Sequence, residues 1–281
     1  MITKIRNGMC LALALLAPGL AWGGDASTAP GPSLVGIDHM PVVVDNLEQA
    51  EVSYRRLGFS LKPGRAHANG LRNSHIKFKD GSGIELISPP AQPGDELTRV
   101  YSRFLRDGQG PAFLSFHARD WRALTSALGR SDIGFVDENG LLTLVDPRLD
   151  FIFFVRDNRS PTDRPEHLVH ANTAVAMPEV WLALDRPGGE SLRGLLLALG
   201  AVASQETVRV PGRARADVFT VNNGRVVVVS GARQTGPGRP ILGVQFRVQD
   251  PGIAKKHLGA GYPWVPPLEA RGLWLRFEGP R

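Results

Sequence analysis

The stretch GIDHMPVVVDNLEQAEVSYRRLGF, residues 36–59, sets a pattern that the rest of the chain repeats. Its first part alternates apolar residues around His39, which is typical of a strand. Its second part has apolar residues at helical spacing as far as Gly58, which marks the end of the helix. A later stretch, GSGIELIS at 81–88, predicts a closing strand with Glu85 inside an apolar run. A histidine on the first strand and a carboxylate on the last can face one metal ion.

This order of strand, helix and closing strands recurs along the chain. Further copies begin at residues 111, 178 and 241, so that the period is about 60 to 75 residues, as in repeated supersecondary units. Each copy opens with a strand that ends in an aspartate and is followed by a helix. The sequence therefore predicts an α+β fold of repeated βαβββ modules, paired into half-closed mixed sheets with a cleft.

The best boundary between two halves is the segment RDNRSPTDRPEH at 156–167, which is rich in turn-forming residues. We therefore expect one module pair over 34–158 and a second, divergent module pair over 166–281.

The first 23 residues have the pattern of a secretory signal peptide. Lys4 and Arg6 precede a short apolar stretch, and small residues at 21 and 23 occupy the −3 and −1 positions of a cleavage site. We expect a periplasmic or secreted protein with no stable membrane insertion after cleavage. An uncleaved membrane anchor is the alternative. Cleavage would also remove Cys10, the only cysteine in the sequence.

Composition and missing motifs exclude several function classes. The net charge of +6 is mild, and no basic run is interleaved with aromatic residues, so nucleic acid is not expected as a partner. The sequence has no Gly-x-Ser-x-Gly element, phosphate-binding glycine loop or set of paired cysteines. A small-molecule ligand or substrate is the expected partner.

The first module resembles the vicinal oxygen chelate superfamily and, within it, the glyoxalase-like domain group. The matching elements include an Asp-His opening, a Leu-Gly-Phe after the helix, a His-x-x-Gly-x-x-Asn element and an IELI closing strand. In this sequence they contain Asp38, His39, Asp45, His67, Gly70, Asn73 and Glu85.

The resemblance implies a divalent metal (Fe, Mn, Ni or Zn) held by His39 and Glu85. It also implies lyase, isomerase or dioxygenase chemistry on a small molecule, with His67 as a catalytic base or third ligand. Asn73, His117 and His170 are the expected substrate-binding residues.

The second module departs from this pattern, because Leu114 and Ile152 occupy its two ligand positions. Neither side chain can bind a metal. The alternative is therefore a metal-free protein of the same fold that binds or sequesters a small molecule. A structural or partner-binding module is a third hypothesis, and edge-to-edge pairing of modules is compatible with a homodimer.

Overall fold

The computed structural model describes residues 33–156 and 160–280. The predicted signal peptide at 1–23 lies outside these residues. The helices are α1 (Leu47–Arg56), α2 (Glu96–Arg106), α3 (Trp121–Arg130), α4 (Arg186–Ala198) and α5 (Pro251–Leu258). The strands are β1 (Val35–Ile37), β2 (His39–Val43), β3 (Lys62–Pro63), β4 (Arg72–Lys77), β5 (Gly83–Ser88), β6 (Gly110–Pro111), β7 (Leu114–Ala118), β8 (Phe135–Glu138), β9 (Leu141–Leu144), β10 (Ile152–Val155), β11 (Ala174–Leu184), β12 (Val202–Val210), β13 (Gly212–Val221), β14 (Gly224–Ser230), β15 (Ile241–Val248), β16 (Trp264–Val265) and β17 (Trp274–Glu278).

A polar residue at the end of each module's first strand begins the following helix. The side chains of Asp120, Asp185 and Asp250 accept hydrogen bonds from backbone N–H groups at the starts of α3, α4 and α5. In the first module this cap is Asn46 and not the strand-ending Asp45. Such caps satisfy N–H groups that have no partner within the helix.

The first two modules join through their first strands. β1 runs antiparallel to β7, with Ile37 opposite Phe116. β2 continues in the same register antiparallel to β6, with Val42 opposite Pro111. The ladder is interrupted at Asp38, between β1 and β2. The strand orders are β3-β4-β5-β2-β6 and β1-β7-β10-β9-β8. We refer to these two groups, joined along this seam, as the first sheet.

The last two modules form the second sheet in the order β12-β13-β14-β11-β15-β17-β16. Their first strands, β11 and β15, are antiparallel neighbours. The fourth module is shorter than the others, because only β16 and β17 follow α5.

One apolar core connects both sheets with α1, α3 and α4. Met40 and Phe116 of the first sheet and Leu182 and Phe277 of the second are at most 1 % exposed within it. Smaller apolar clusters lie on the opposite side of each sheet. We call these opposite sides the first open face, which carries Glu85, and the second open face, described below.

The arrangement confirms the predicted α+β fold of paired βαβββ modules. The proposed domain limits, 34–158 and 166–281, stay predictions, since residues of both pairs contribute to the shared core. Within 33–156 and 160–280, no helix has the length and apolar character needed to cross a membrane.

Candidate functional site

Strand register brings His39 and Glu85 to the first open face. Their strands, β2 and β5, are parallel neighbours. Ile84 and Leu86 point into the shared core, so Glu85 between them points to the opposite side. His39 Nε2 lies 3.5 Å from Glu85 Oε2, and the two side chains are 20 % and 13 % exposed. Both remain accessible to a small molecule.

Asp38 orients the imidazole of His39. Its buried carboxylate accepts a hydrogen bond from His39 Nδ1, which leaves Nε2 facing Glu85. Burial opposes a charge on His39, but hydrogen bonds and negative charges of Asp38 and Glu85 outweigh it and raise its pKa. Burial by itself would raise the pKa of Glu85. The hydrogen bond from His39 and the nearby positive charge outweigh burial, so that the pKa of Glu85 falls to about 2. The two side chains therefore form an ion pair at neutral pH.

The neighbouring strand β4 adds two polar side chains. His75 is the cross-strand neighbour of Glu85. Asn73 Nδ2 donates to Glu85 Oε1 at 2.6 Å and lies 3.2 Å from His75 Nε2. Burial lowers the pKa of His75 to about 4, so this imidazole is neutral beside the ion pair. The predicted substrate-binding residue Asn73 thus contacts the predicted ligand Glu85.

Aromatic rings form the other side of the site. Phe153 of β10 meets His39 edge to face, with ring centroids 5.6 Å apart. The ring centroid of Phe113 lies 6.3 Å from that of Phe153 and 5.9 Å from that of Tyr101 on α2. The second module therefore contributes an apolar wall in place of the polar residues that the first module supplies.

Two predicted site residues have no described contact with this cluster. His67 is in the loop before β4, and its Nε2 is buried without a hydrogen-bond partner in the described part of the chain. His117 lies on β7, opposite Gly36, and its Nδ1 is likewise unpartnered among those residues. Neither side chain forms a described hydrogen bond with His39 or Glu85. Their predicted roles in catalysis and substrate binding stay predictions.

His170 is a buried residue that joins two backbone segments by hydrogen bonds. Its Nδ1 accepts from the backbone N–H of Ser60 at 3.0 Å, and its Nε2 donates to Lys77 O at 3.0 Å. The ring also packs edge to face against Phe59 and Phe78. Burial lowers its pKa to about 4. Both ring nitrogens are used by the chain itself, which leaves neither for a ligand.

The donor set is incomplete for a resident metal. His39 and Glu85 supply two donors, but among the described residues no three His, Cys, Asp or Glu side chains are placed to share an ion. Leu114 and Ile152 of the second module pair with each other inside the core. Protein metal sites usually have at least three protein ligands. These residues alone therefore do not fit a tightly held metal, and we derive no reaction step from one.

Sequence reasoning missed two components of the site. Asp38 belongs to the Asp-His opening, so its proximity to His39 could have been read from the sequence. Phe153 lies more than a hundred residues from His39, inside the run Phe151–Phe154 that resembles ordinary core. Only the pairing of the modules shows that its ring faces the open side.

Comparison with known proteins agrees with this geometry. The chain matches the family of glyoxalase-like domains over residues 37–188, which is more than half of its length. No curated protein shows significant similarity to it.

Several solved structures share the fold. A hypothetical protein from Staphylococcus aureus has 14% identity and a TM-score of 0.62, with 88% of this chain and 100% of that chain covered. The 2,3-dioxygenase LapB from Pseudomonas sp. KL28 has 11% identity and a TM-score of 0.58, with coverage of 90% and 94%. A variant of homoprotocatechuate 2,3-dioxygenase from B. fuscum has 12% identity and a TM-score of 0.58, with coverage of 89% and 72%. The chain belongs to the glyoxalase-like domain family and has the fold of the vicinal oxygen chelate superfamily.

Proposed function

We propose that the first open face binds a small molecule that has a planar apolar part and a polar group. The observation that carries this proposal is the His39–Glu85 pair, 3.5 Å apart and partly exposed, beside the ring of Phe153. Binding sites for small molecules commonly combine an apolar wall with a few converging polar groups. The arrangement needs no metal.

The charged state of the pair specifies what it can recognise. His39 is protonated at neutral pH and donates from Nε2, while Glu85 accepts through its carboxylate. A ligand with an adjacent hydrogen-bond acceptor and donor, such as a phenol or a hydroxybenzoate, can replace the contact between them. The planar part then packs against Phe113 and Phe153, where edge-to-face contacts between rings are favourable.

Metal-assisted lyase, isomerase or dioxygenase chemistry is the second candidate function. The hydrogen bond from His39 Nδ1 to Asp38 favours it, because histidines that bind metals usually donate their other N–H to a carboxylate. The dioxygenases with this fold are a further reason to test it. Export to the periplasm, proposed from the first 23 residues, would place either activity outside the cytoplasm.

Ligand binding and metal content together test the proposal. The mature protein, His39→Gln and the matched control His257→Gln, which changes an exposed histidine on α5, are titrated calorimetrically with substituted phenols and benzoates. We expect at least one probe to bind the parent and the control, with a loss of tenfold or more in His39→Gln. Elemental analysis should find well under one metal per chain.

Two results would contradict metal-free binding. Stoichiometric metal that is lost in His39→Gln but retained in His257→Gln would establish the second candidate instead. Absence of binding by every probe at millimolar concentration, with or without added Fe(II), Mn(II), Ni(II) or Zn(II), would remove the site assignment.

A further inference from the structure

A row of four polar side chains crosses the second open face. Arg225 of β14 is the cross-strand neighbour of Glu179 on β11, Glu179 is that of Gln245 on β15, and Gln245 is that of Arg276 on β17. Directly paired residues point to the same side of a sheet. Two modules therefore contribute equally to one line of charged and amide groups.

Two members of the row are held by the chain. Glu179 is 3 % exposed, and its Oε1 accepts from the indole N–H of Trp181 at 2.6 Å. Its Oε2 accepts from both Nε and Nη2 of Arg225. Arg225 also donates from Nη1 to Glu206 at 3.0 Å. This end of the row is a satisfied, rigid network.

The other end has unused hydrogen-bonding capacity. The side chain of Gln245 is 8 % exposed and has no hydrogen-bond partner in the part of the chain that the structure describes. Arg276 beside it donates to Arg209 O at 3.1 Å and to Glu278 Oε1 at 3.0 Å, which leaves further N–H groups for another acceptor. The nitrogen and oxygen of this amide both reach solvent, so they are available to a ligand.

A cavity lies over this row. It is a depression of about 210 Å³ that is open to solvent, and its lining includes Glu179, Gln245 and Arg276. At about 30 Å³ for each water molecule, this space holds roughly seven waters. The volume suits a molecule of monosaccharide size, smaller than most drug-like ligands.

The charges around the cavity balance one another. Its ionisable side chains comprise three carboxylates and three guanidinium groups: Glu179, Glu206, Glu278, Arg209, Arg225 and Arg276. Neither sign is in excess, so the lining as a whole does not favour an anion over a cation. Instead it offers carboxylate acceptors, guanidinium donors and an amide that does both. A hydroxyl group also both donates and accepts, and a ligand with several hydroxyls matches such a lining.

We infer that the second open face carries a second binding site, for a small uncharged polyhydroxy compound that uses Gln245 and Arg276 as its main contacts. This site is on a different sheet from the His39–Glu85 pair and does not depend on the function proposed for that pair.

Matched sugars test both the site and the charge argument. Glucose, mannose and inositol are titrated into the mature protein, together with gluconate and glucosamine as ligands of similar size that carry one charge. We expect at least one uncharged compound to bind, and to bind at least tenfold more tightly than the charged ones. Tighter binding of gluconate or glucosamine, or no binding of any of the five at 10 mM, would overturn the inference.

Two substitutions, Gln245→Leu and Gln249→Leu, test whether the uncharged ligand binds in the cavity. Gln249 is exposed at the end of β15, so it provides the same substitution outside the cavity. Gln245→Leu should weaken the uncharged ligand tenfold or more while the unliganded protein melts at the same temperature or higher, because an unpaired amide is removed. Gln249→Leu should leave the affinity unchanged. A markedly lower melting temperature in Gln245→Leu would show that the amide has a structural role and would contradict the assignment.

Discussion

Each open face belongs to two modules that join through their first strands, but the two faces differ in side-chain chemistry. On the first, His39 and Glu85 form a titratable pair that is accessible beside aromatic rings. On the second, Glu179 is buried in a network with Arg225, and the amide of Gln245 is left without a partner in the described chain. The shared backbone fixes where side chains point. The residue types at those positions decide whether a face presents an accessible ion pair beside aromatic rings or a buried ion pair beside an amide.

The largest expected difference between the faces is the cost of losing the carboxylate. Glu179→Leu should destabilise the protein by about 2–4 kcal/mol, because it leaves Trp181 Nε1 without its acceptor and Arg225 with only Glu206. Glu85→Leu should cost less, since His39 keeps Asp38 and solvent reaches the site. Urea unfolding of both variants measures the difference.

The double variant Glu179→Leu/Arg225→Leu is the control for this comparison. Removing both charges should recover part of the loss, since well-packed apolar residues can replace a buried pair. An equal cost for Glu85→Leu and Glu179→Leu would show that the two faces do not differ in rigidity.

The second difference between the faces is how their contribution to the stability of the fold depends on pH. The pKa of His39 is raised from 6.5 to about 10, so its stabilising charge is fully present below pH 6.5 and lost as the pH rises toward 10. The pKa of Glu85 is lowered from 4.5 to about 2, so its contribution is complete above pH 4.5 and lost on acidification below that value. The pair therefore stabilises the fold most between about pH 4.5 and 6.5.

Unfolding of the parent and His39→Gln at pH 5.5 and pH 9 tests this dependence. The advantage of the parent should shrink at pH 9 by about 1–3 kcal/mol. Glu179→Leu is the contrasting variant. Its loss of stability should be the same at both pH values, because Arg225, the former partner of Glu179, does not titrate in this range. A pH-independent advantage of the parent over His39→Gln would show that the two side chains are not an ion pair.

A third prediction separates His170 from the open faces. His170→Leu should lower stability by about 1–2 kcal/mol, because it removes the hydrogen bonds with Ser60 and Lys77. Phenol and sugar affinities should stay unchanged. Loss of either affinity in a variant whose fold is intact by circular dichroism would support the substrate-binding role predicted from the sequence.

The smallest expected loss of stability comes from removing a helix cap, and it tests whether the shared core makes both halves unfold together. Asn46→Ala in the first half and Asp185→Ala in the second should each cost about 1 kcal/mol, since each removes a helix cap. Because one core joins both sheets, each variant should shift the whole unfolding transition. If each substitution shifts a separate transition, the halves unfold independently and the comparison should be made between two domains.

Local patterns made much of the fold predictable. The closing strand predicted around Glu85 is β5, in which Ile84 and Leu86 face the shared core and Glu85 faces the other side. The aspartates that end the first strands of the last three modules cap the following helices. These signals depend on residues within a few positions of one another, so they can be read directly from the sequence.

Contacts between distant segments were not predictable in the same way. The strand register pairs Glu179 with Arg225, while the next residue, Val226, faces the core. A shift of one residue moves a side chain to the other face of a sheet. The buried network of the second face was therefore hidden from the sequence.

The sequence by itself determined the modules, their helix caps and the residue type at the His39 and Glu85 positions, because periodicity and capping are local properties. The tertiary structure decided the strand register and the pairing of modules. These place Phe153 beside His39 and leave Gln245 facing a cavity without a partner in the described chain. The physical reason is that a side chain's environment depends on which distant strands pair with its own, and the energy that selects this pairing comes from burial of the shared core.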